Sequence, residues 1–473
     1  MTLNPTKLRA ATKLFWVCLV FNVFCASGHN DSIDAGASID TARALFERGS
    51  PRLNTVGAYD LHILARGKGG YYSKLGLTHP VLYLPAVAAG KLVALWRGQE
   101  LRWIEFFASL TNPFFHALLV ALLFSFFKTE GTSTTLALLL SLGTGYATLL
   151  FPYAKTLHRE VLQALFFTAL FVLISNSNNL NARRLFWCGV LIGATLLIKI
   201  GLIVPLLPVL LFLGLQMKPR PLRPLLTVLL PIVVSIVALL VFWKFNAAGP
   251  NFSGYGPQVF SPSDARAWST PFWQGIYTQI LSPEDGLLWY SPLVIAALVV
   301  SGLKAWQKRW SVRDSCVLAC IVLHIALHAK WFDAAGKGPL GPRYVVTILP
   351  LFALLCSNLP TLRHKTGRVF AAASLTLLLV WSLSLQFIFV CIKPQMYNAI
   401  IYAGRPVPKE GYEPQWIAEF RIFAHKLHAK PEIYSTSLFN PATPAKEVDF
   451  RTNRSYHGFN FWWLHALRGE KPF

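Results

Sequence analysis

An all-α, polytopic integral membrane protein is the fold class this sequence predicts, and three observations predict it. Apolar residues gather into stretches of roughly 16 to 27, long enough to span or nearly span a bilayer as helices. Hydrophobic residues make up 54% of the 473-residue chain and charged residues only 14%, more apolar than a soluble core of this size requires. The basic residues sit mainly in the loops between the stretches, where membrane topology places them. The 44 Lys and Arg against 21 Asp and Glu give a net charge of +23. In a soluble protein that would point to nucleic acid; here the positions of the charges matter more than their sum, and no nucleic-acid partner is expected.

The first stretch, Leu14 to Ala26, follows Lys7, Arg9 and Lys13. It reads as an uncleaved span rather than a signal peptide, because the many later spans make a secretory signal unnecessary. Counted with it (12–27), the apolar stretches fall near 103–127, 132–151, 159–176, 184–199, 201–217, 224–244, 289–304, 313–328, 344–358 and 369–392, giving about eleven spans. The segment "GLTHPVLYLPAVAAGKLVALW" (76–96) is read instead as an interfacial helix on the outer side. That choice places "NARR" (181–184), "MKPRPLRP" (217–224), "KAWQKRWSVRD" (304–314) and "LRHKTGR" (362–368) on the cytoplasmic face with the N-terminus, as the positive-inside rule asks. Pro80 and Pro85 also make this segment a poor straight span.

Residues 28–102, 152–158, 245–288, 329–343 and 393–473 then lie outside, and so does any chemistry. The chain is expected to divide into a transmembrane module, 1–392, with interfacial helices in its large first outer loop (28–102), and a C-terminal periplasmic or lumenal segment, 393–473. All seven cysteines (Cys18, Cys25, Cys188, Cys316, Cys320, Cys356, Cys391) lie in or beside apolar segments with no CxxC, which argues against a zinc site and a disulfide framework.

Carboxylates stand at the mouth of the first span. "HNDSIDAGASIDTARALFERGS" (29–50) holds Asp31, Asp34 and Asp40. Ile39, Ala42, Leu45 and Phe46 fall at helix spacing, which places Asp34 as the N-cap of the helix they define. The bland reading of Asp34 is capping alone; the functional one is a general base facing the mouth of the bundle. In "GGYYSKLGLTHP" (69–80), a Gly-Gly turn leads into Tyr71 and Tyr72, which suit an interface belt, and Lys74, a cation directed at lipid head groups. "FPYAKTLHREVLQ" (151–163) sets Lys155, His158, Arg159 and Glu160 on a short outer loop. Such charges are often snorkelling span ends, but Glu160 serves no positive-inside count and is the natural second carboxylate. Lys199, in "LLIKIGL" (196–202), is an ionisable residue with apolar neighbours on both sides, expensive unless functional.

"HAKWFDAAGKGPLGPRY" (328–344) delivers Arg343 at the head of a helix, a good phosphate receiver. His324 and His328 have the i, i+4 spacing of metal ligands but no third ligand nearby, so they read better as the lining of a polar cavity. The outer loops "GPNFSGYGPQVF" (249–260) and "LSPEDGLLWYSP" (281–292) are ordinary turns or, by their aromatic and small residues, walls of a sugar site.

Taken in order, an acid soon after the first span followed by "ARALFERGS", then "YYSKLGL" with "LYLPA", "FPYAKTLHRE", "GATLLIK", "GLLWYSP" and "GPRY" with "ILPL" resemble the bacterial GT-C glycosyltransferases. These are integral membrane enzymes akin to protein O-mannosyltransferases and to the transferase that puts aminoarabinose on lipid A. The resemblance covers roughly residues 10–392. It implies that the acid before the A-R-x-L helix, Asp34 with Asp31 as fallback, is the catalytic base and that Glu160 is the second outer acid. Lys74, Lys199 and Arg343 are implied as lipid-phosphate contacts. Asp31, Tyr72, Lys155 and His158 are expected beside them in the substrate site.

The expected reaction is inverting transfer of a sugar from a polyprenyl-phosphate donor to an acceptor hydroxyl on a glycan, lipid or protein. The expected place is a bacterial inner membrane, with the site facing the periplasm. No cofactor is called for, and a divalent metal is left open. The alternative from another class is a transporter or flippase of a lipid-linked or anionic substrate; transporters commonly show repeated halves, and this sequence shows no evident repeat.

Overall fold

The computed structural model describes residues 5–30, 32–53, 64–67, 69–175, 181–217, 222–246, 268–336, 340–357, 365–392, 414–428 and 460–467. In chain order the elements are α1 (Pro5–Cys25), α2 (Ile33–Arg48), β1 (Leu64–Gly67), β2 (Gly70–Ser73), α3 (Thr78–Arg97), α4 (Glu100–Ser109), α5 (Thr111–Thr129), α6 (Thr134–Tyr146), α7 (Leu150–Lys155), α8 (Glu160–Ser175) and α9 (Ala182–Ile198). A 3-10 turn, Ile200–Leu202, leads into α10 (Ile203–Gln216), followed by α11 (Leu222–Asn246), α12 (Phe272–Ile280), α13 (Leu287–Tyr290), α14 (Leu293–Trp306) and α15 (Val312–Ala329). A second 3-10 turn, Arg343–Ile348, runs into α16 (Leu349–Leu355), and α17 (Lys365–Cys391), α18 (Gln415–His428) and α19 (Trp462–Leu467) complete the order.

Within the described residues the apolar stretches of the sequence are largely helical. Among the described residues six helices are long and apolar enough to cross a membrane, Leu8–Cys25, Thr78–Arg97, Glu100–Thr129, Leu222–Trp243, Val312–Ala329 and Val369–Cys391, and shorter apolar helices pack among them. The exterior fits lipid. Trp16, Val20 and Phe24 of α1, Leu226, Leu230, Val233 and Val237 of α11, and Phe370, Leu377 and Val380 of α17 are exposed, and helical spacing aligns each set on one side of its helix. In water such stripes would be costly; in lipid they face their own solvent. This is an all-α integral membrane protein.

Inside the bundle, Phe126 and Phe127 of α5 pack with Phe167 and Phe171 of α8, all fully buried. Several hydroxyls within the helices are satisfied locally. Ser141, Thr168, Thr195 and Ser301 each donate to the carbonyl four residues back, at 2.6 to 2.8 Å, which spares these four the cost of an unmet polar group in an apolar medium. At the end of the bundle that the charge pattern assigns to the cytoplasm, the buried Lys304 donates to Asp314 at 2.9 Å and to the Leu355 carbonyl at 3.0 Å. Asp314 also completes a capping box with Ser311, and Arg313 pairs with Glu130 at 2.7 Å.

One element departs from the all-helical expectation. β1 and β2 form an antiparallel hairpin with Gly67 opposite Gly70, and Gly69 sits at φ +75°, so the Gly-Gly turn of the sequence is a strand reversal. The chain then crosses the end of α9, where the Leu77 N–H donates to the Leu197 carbonyl at 3.0 Å and Thr78 Oγ1 to the Ala194 carbonyl at 3.1 Å. Gly76 makes that crossing possible. Its φ is +61°, and a Cβ there would run into the Leu197 and Ile198 carbonyls. α3 is one continuous helix despite Pro85, and it packs chiefly on α2 and α4.

The described parts of the C-terminal segment are fastened to the same end of the bundle. α18 lies along α17, with Phe420 stacked on Trp381 at 5.8 Å. Residues 460–467 clasp the first and last long helices together. The Asn460 N–H donates to the Cys391 carbonyl at 3.0 Å. Trp462 and Trp463 donate their indole N–H groups to the Val23 and Phe24 carbonyls at 2.8 and 3.0 Å.

Candidate functional site

The end of the bundle opposite Lys304 gathers ionisable side chains from the start of α2, the loop into α8, the end of α9 and the segment after α15. Arg343 is their centre. Its Nη2 donates to Asp34 Oδ2 at 2.8 Å and its Nε to Glu160 Oε1 at 2.7 Å. One guanidinium therefore bridges two carboxylates, and its five N–H donors exceed what these bonds use. A second rung joins the same elements one turn further on, where Thr347 donates to Gln163 at 2.8 Å. Gly341, at φ +50°, lets the "GPRY" segment turn against the Tyr290 ring, where a Cβ would collide.

The two carboxylates are not equivalent. Glu160 keeps 4% of its side-chain area accessible and Asp34 25%, so Asp34 alone can meet a molecule arriving from outside. The expected capping role of Asp34 is corrected here: Ser32 is the N-cap, at φ −137°, and Asp34 lies in the first turn of α2. Its side chain accepts from Arg343 Nη2, a bond between two full charges. Burial alone would raise the Asp34 carboxyl, but the guanidiniums of Arg343 and Arg159 hold it well below the usual carboxylate range.

The loop 156–159 is shaped by neighbours. Asn112 Nδ2 donates to the Thr156 and His158 carbonyls at 2.7 and 2.6 Å, and Tyr83 donates to the Leu157 carbonyl at 3.1 Å. Burial, reinforced by the Arg343 guanidinium, pushes the His158 imidazole down to about 4, so it is neutral at physiological pH. His158 Nδ1, Glu160 Oε2 and the buried His79 Nε2 have no hydrogen-bond partner among the described residues, and each unmet buried group costs about 1–3 kcal/mol.

Lys199, the C-cap of α9, lies 2.9 Å from His328 Nε2 and 4.2 Å over the Tyr344 ring. The His324 and His328 ring nitrogens are otherwise engaged with the Tyr344 and His324 carbonyls at 2.9 Å. His328 thus has both nitrogens occupied. Among the described residues no group of three or more His, Cys, Asp or Glu has the arrangement to hold a metal ion.

Of the residues expected at the site, Asp34, His158, Glu160 and Arg343 are brought into one cluster. Lys199 lies beside it, its backbone carbonyl passing to the 3-10 turn. Lys74 is in the turn between β2 and α3, half-buried. Tyr72 packs with Leu239 and Trp243 of α11, against Leu197 and Ile200 on either side of Lys199. Lys155 is buried and donates to the Val390 and Asn460 carbonyls, with Phe461 under its ammonium at 4.6 Å, so it joins the clasp. Asp31 and the loop 249–260 lie outside the described residues. Sequence reasoning passed over Asn112, Tyr344 and His79, and took Arg159 as a span end. A histidine and an asparagine each next to a proline, at the mouth of an apolar helix, are the signal that was present.

No family model matches this chain, and no curated protein matches it. Among solved structures it is similar to ArnT from Cupriavidus metallidurans, in a crystal structure bound to undecaprenyl phosphate. The identity is 12% and the TM-score 0.47, over 85% of this chain and 73% of that one.

Proposed function

We propose that this protein is a membrane glycosyltransferase that moves a sugar from a polyprenyl-phosphate donor to an acceptor hydroxyl on the periplasmic or lumenal side of a bacterial inner membrane. The observation that carries the reading is the bridge from Arg343 to Asp34 and Glu160, set beside Lys199 at the end of an apolar bundle. The order of motifs shared with the GT-C enzymes supports it.

The chemistry follows from the cluster. The acceptor oxygen attacks C1 of the sugar opposite the phosphate; its proton passes to an Asp34 oxygen, and the C1–O bond breaks with its electron pair leaving on the phosphate. The configuration at C1 inverts. The departing phosphate is a stable anion and needs no acid. Arg343 and Lys199 stabilise the charge that develops on it, and Glu160 holds the guanidinium in place through Nε. A carboxylate clamped by a guanidinium is a weak base, so donor binding has a second effect. As the phosphate engages Arg343, Asp34 loses part of its counter-charge and its basicity rises. The base is therefore strengthened when the donor is in place.

The test is transfer by the purified protein in nanodiscs, given polyprenyl-phosphate sugars from its host membrane, with wild type beside Asp34→Asn. The reading expects lipid-phosphate release coupled to acceptor glycosylation in wild type only. An Asp34→Asn variant with wild-type turnover would remove the base assignment, and movement of intact lipid-linked sugar across the membrane without its cleavage would favour a flippase.

A further inference from the structure

We propose that His328 is the positioning residue for the Lys199 ammonium and, through it, for the donor phosphate; the second half rests on the function proposed above. The tautomer is set by what faces each nitrogen. His328 Nδ1 is 2.9 Å from the His324 carbonyl, which can only accept, so Nδ1 carries the proton. Nε2 must then present a lone pair, and it does so 2.9 Å from Lys199 Nζ, whose ammonium can only donate.

The imidazole is itself held. Its ring stacks on Tyr344 with centroids 4.3 Å apart and planes 25° from parallel. The Tyr344 carbonyl takes the His324 Nε2–H at 2.9 Å, which fixes the other histidine in the opposite tautomer. The same Tyr344 ring lies 4.2 Å beneath Lys199 Nζ. The ammonium thus has an acceptor on one side and an aromatic face on another, and its remaining N–H donors are directed by both. Tyr344 is bonded to Arg343, so the two cations proposed for the phosphate share one stretch of backbone. A histidine that merely satisfied the core would need only its bond to the His324 carbonyl. The lone pair aimed at a lysine is what core packing does not require.

The experiment is a double-mutant cycle read by binding of undecaprenyl phosphate, without sugar, to the full chain in nanodiscs. Wild type, His328→Leu, His328→Gln, Lys199→Met and Lys199→Met/His328→Leu are titrated by native mass spectrometry. His328→Leu is expected to weaken binding about tenfold. His328→Gln, whose amide oxygen can accept from Lys199, is expected to restore most of it. In the Lys199→Met background His328→Leu should change nothing further. Equal loss in both backgrounds overturns the proposal.

If wild type binds no polyprenyl phosphate, the functional reading fails with the phosphate half of the inference. The contact itself is then decided separately, by nitrogen NMR of histidine-labelled protein with the His328 signals assigned through His328→Gln. A neutral Nδ1–H tautomer whose Nε2 resonance moves in Lys199→Met is the result expected. An Nε2 resonance that stays in place overturns it.

Discussion

Arg343 and Asp34 are separated by 309 positions in the chain and 2.8 Å in space. Their contact joins the first outer helix to the segment that follows α15, and Glu160 Oε1 sits on the same guanidinium at 2.7 Å. A cation shared by two acids of unequal exposure is poised for exchange with an incoming anion, and the predictions start there.

Asp34→Asn keeps the shape of the side chain and removes the base. Turnover should fall by about 10²–10⁴-fold, with donor affinity unchanged or improved because Arg343 is released. Parallel measurement of turnover and lipid binding checks both halves.

Glu160→Gln should instead damage the fold. The carboxylate is 4% accessible, and withdrawing one partner from a buried pair costs about 3–5 kcal/mol. Denaturation in detergent should show a larger loss for Glu160→Gln than for Asp34→Asn. Equal losses would mean that the two carboxylates share the structural role.

The stability of the outer face should fall on acidification, and the sign follows from His158. Burial and the Arg343 guanidinium lower its folded value to about 4, against about 6.5 in an unfolded chain. As pH drops through that window the unfolded state takes the proton first, so stability declines. Asp34, depressed in the folded state, adds its own loss only below about pH 4. Thermal unfolding at pH 7.5 and 5 should show a smaller difference in His158→Gln than in wild type.

At the opposite end of the bundle, Lys304→Met should cost about 3–5 kcal/mol by leaving Asp314 buried without its cation. The double variant Lys304→Met/Asp314→Leu should recover much of that. Neither should alter the affinity of the folded fraction for polyprenyl phosphate, which ligand titration below the unfolding temperature would show.

Gly76→Ala combines a disfavoured left-handed backbone with a Cβ aimed at the Leu197 and Ile198 carbonyls. The crossing at the end of α9 must shift, and Lys199 with it. Donor binding should weaken more than in Gly98→Ala, where φ is also positive but nothing lies within 4 Å.

Local pattern told much of this fold and less of its site. Hydropathy marked the helices because lipid and core both select for apolar runs, and Gly69-Gly70 marked a turn but not the strands on either side of it, which are too short to announce themselves. Asp34, Glu160 and Arg343 were visible as charges out of place at outer helix ends. Their mutual contact was not, since nothing near Asp34 in the chain announces a guanidinium 309 positions away. The same ignorance made Asp34 an N-cap when Ser32 was available. Lys155 and Tyr72 have the right chemistry in the right segments, yet one side chain turns to the clasp and the other to α11. Orientation of that kind is decided by tertiary packing that a linear reading does not contain.

The clasp at residues 460–467 has a consequence for how the protein is made. Trp462 and Val23 meet across 439 positions, so the partner of the first span's terminal carbonyl is synthesised long after that span has entered the bilayer. Until Asn460 and the two tryptophans arrive, the Phe24 and Cys391 carbonyls lack these donors and the Val23 carbonyl has the Ala26 N–H without the Trp462 indole. α1 is locked only once residues 460–467 are made, and a chain stopped short of residue 460 would carry every candidate span among the described residues and still lack the clasp.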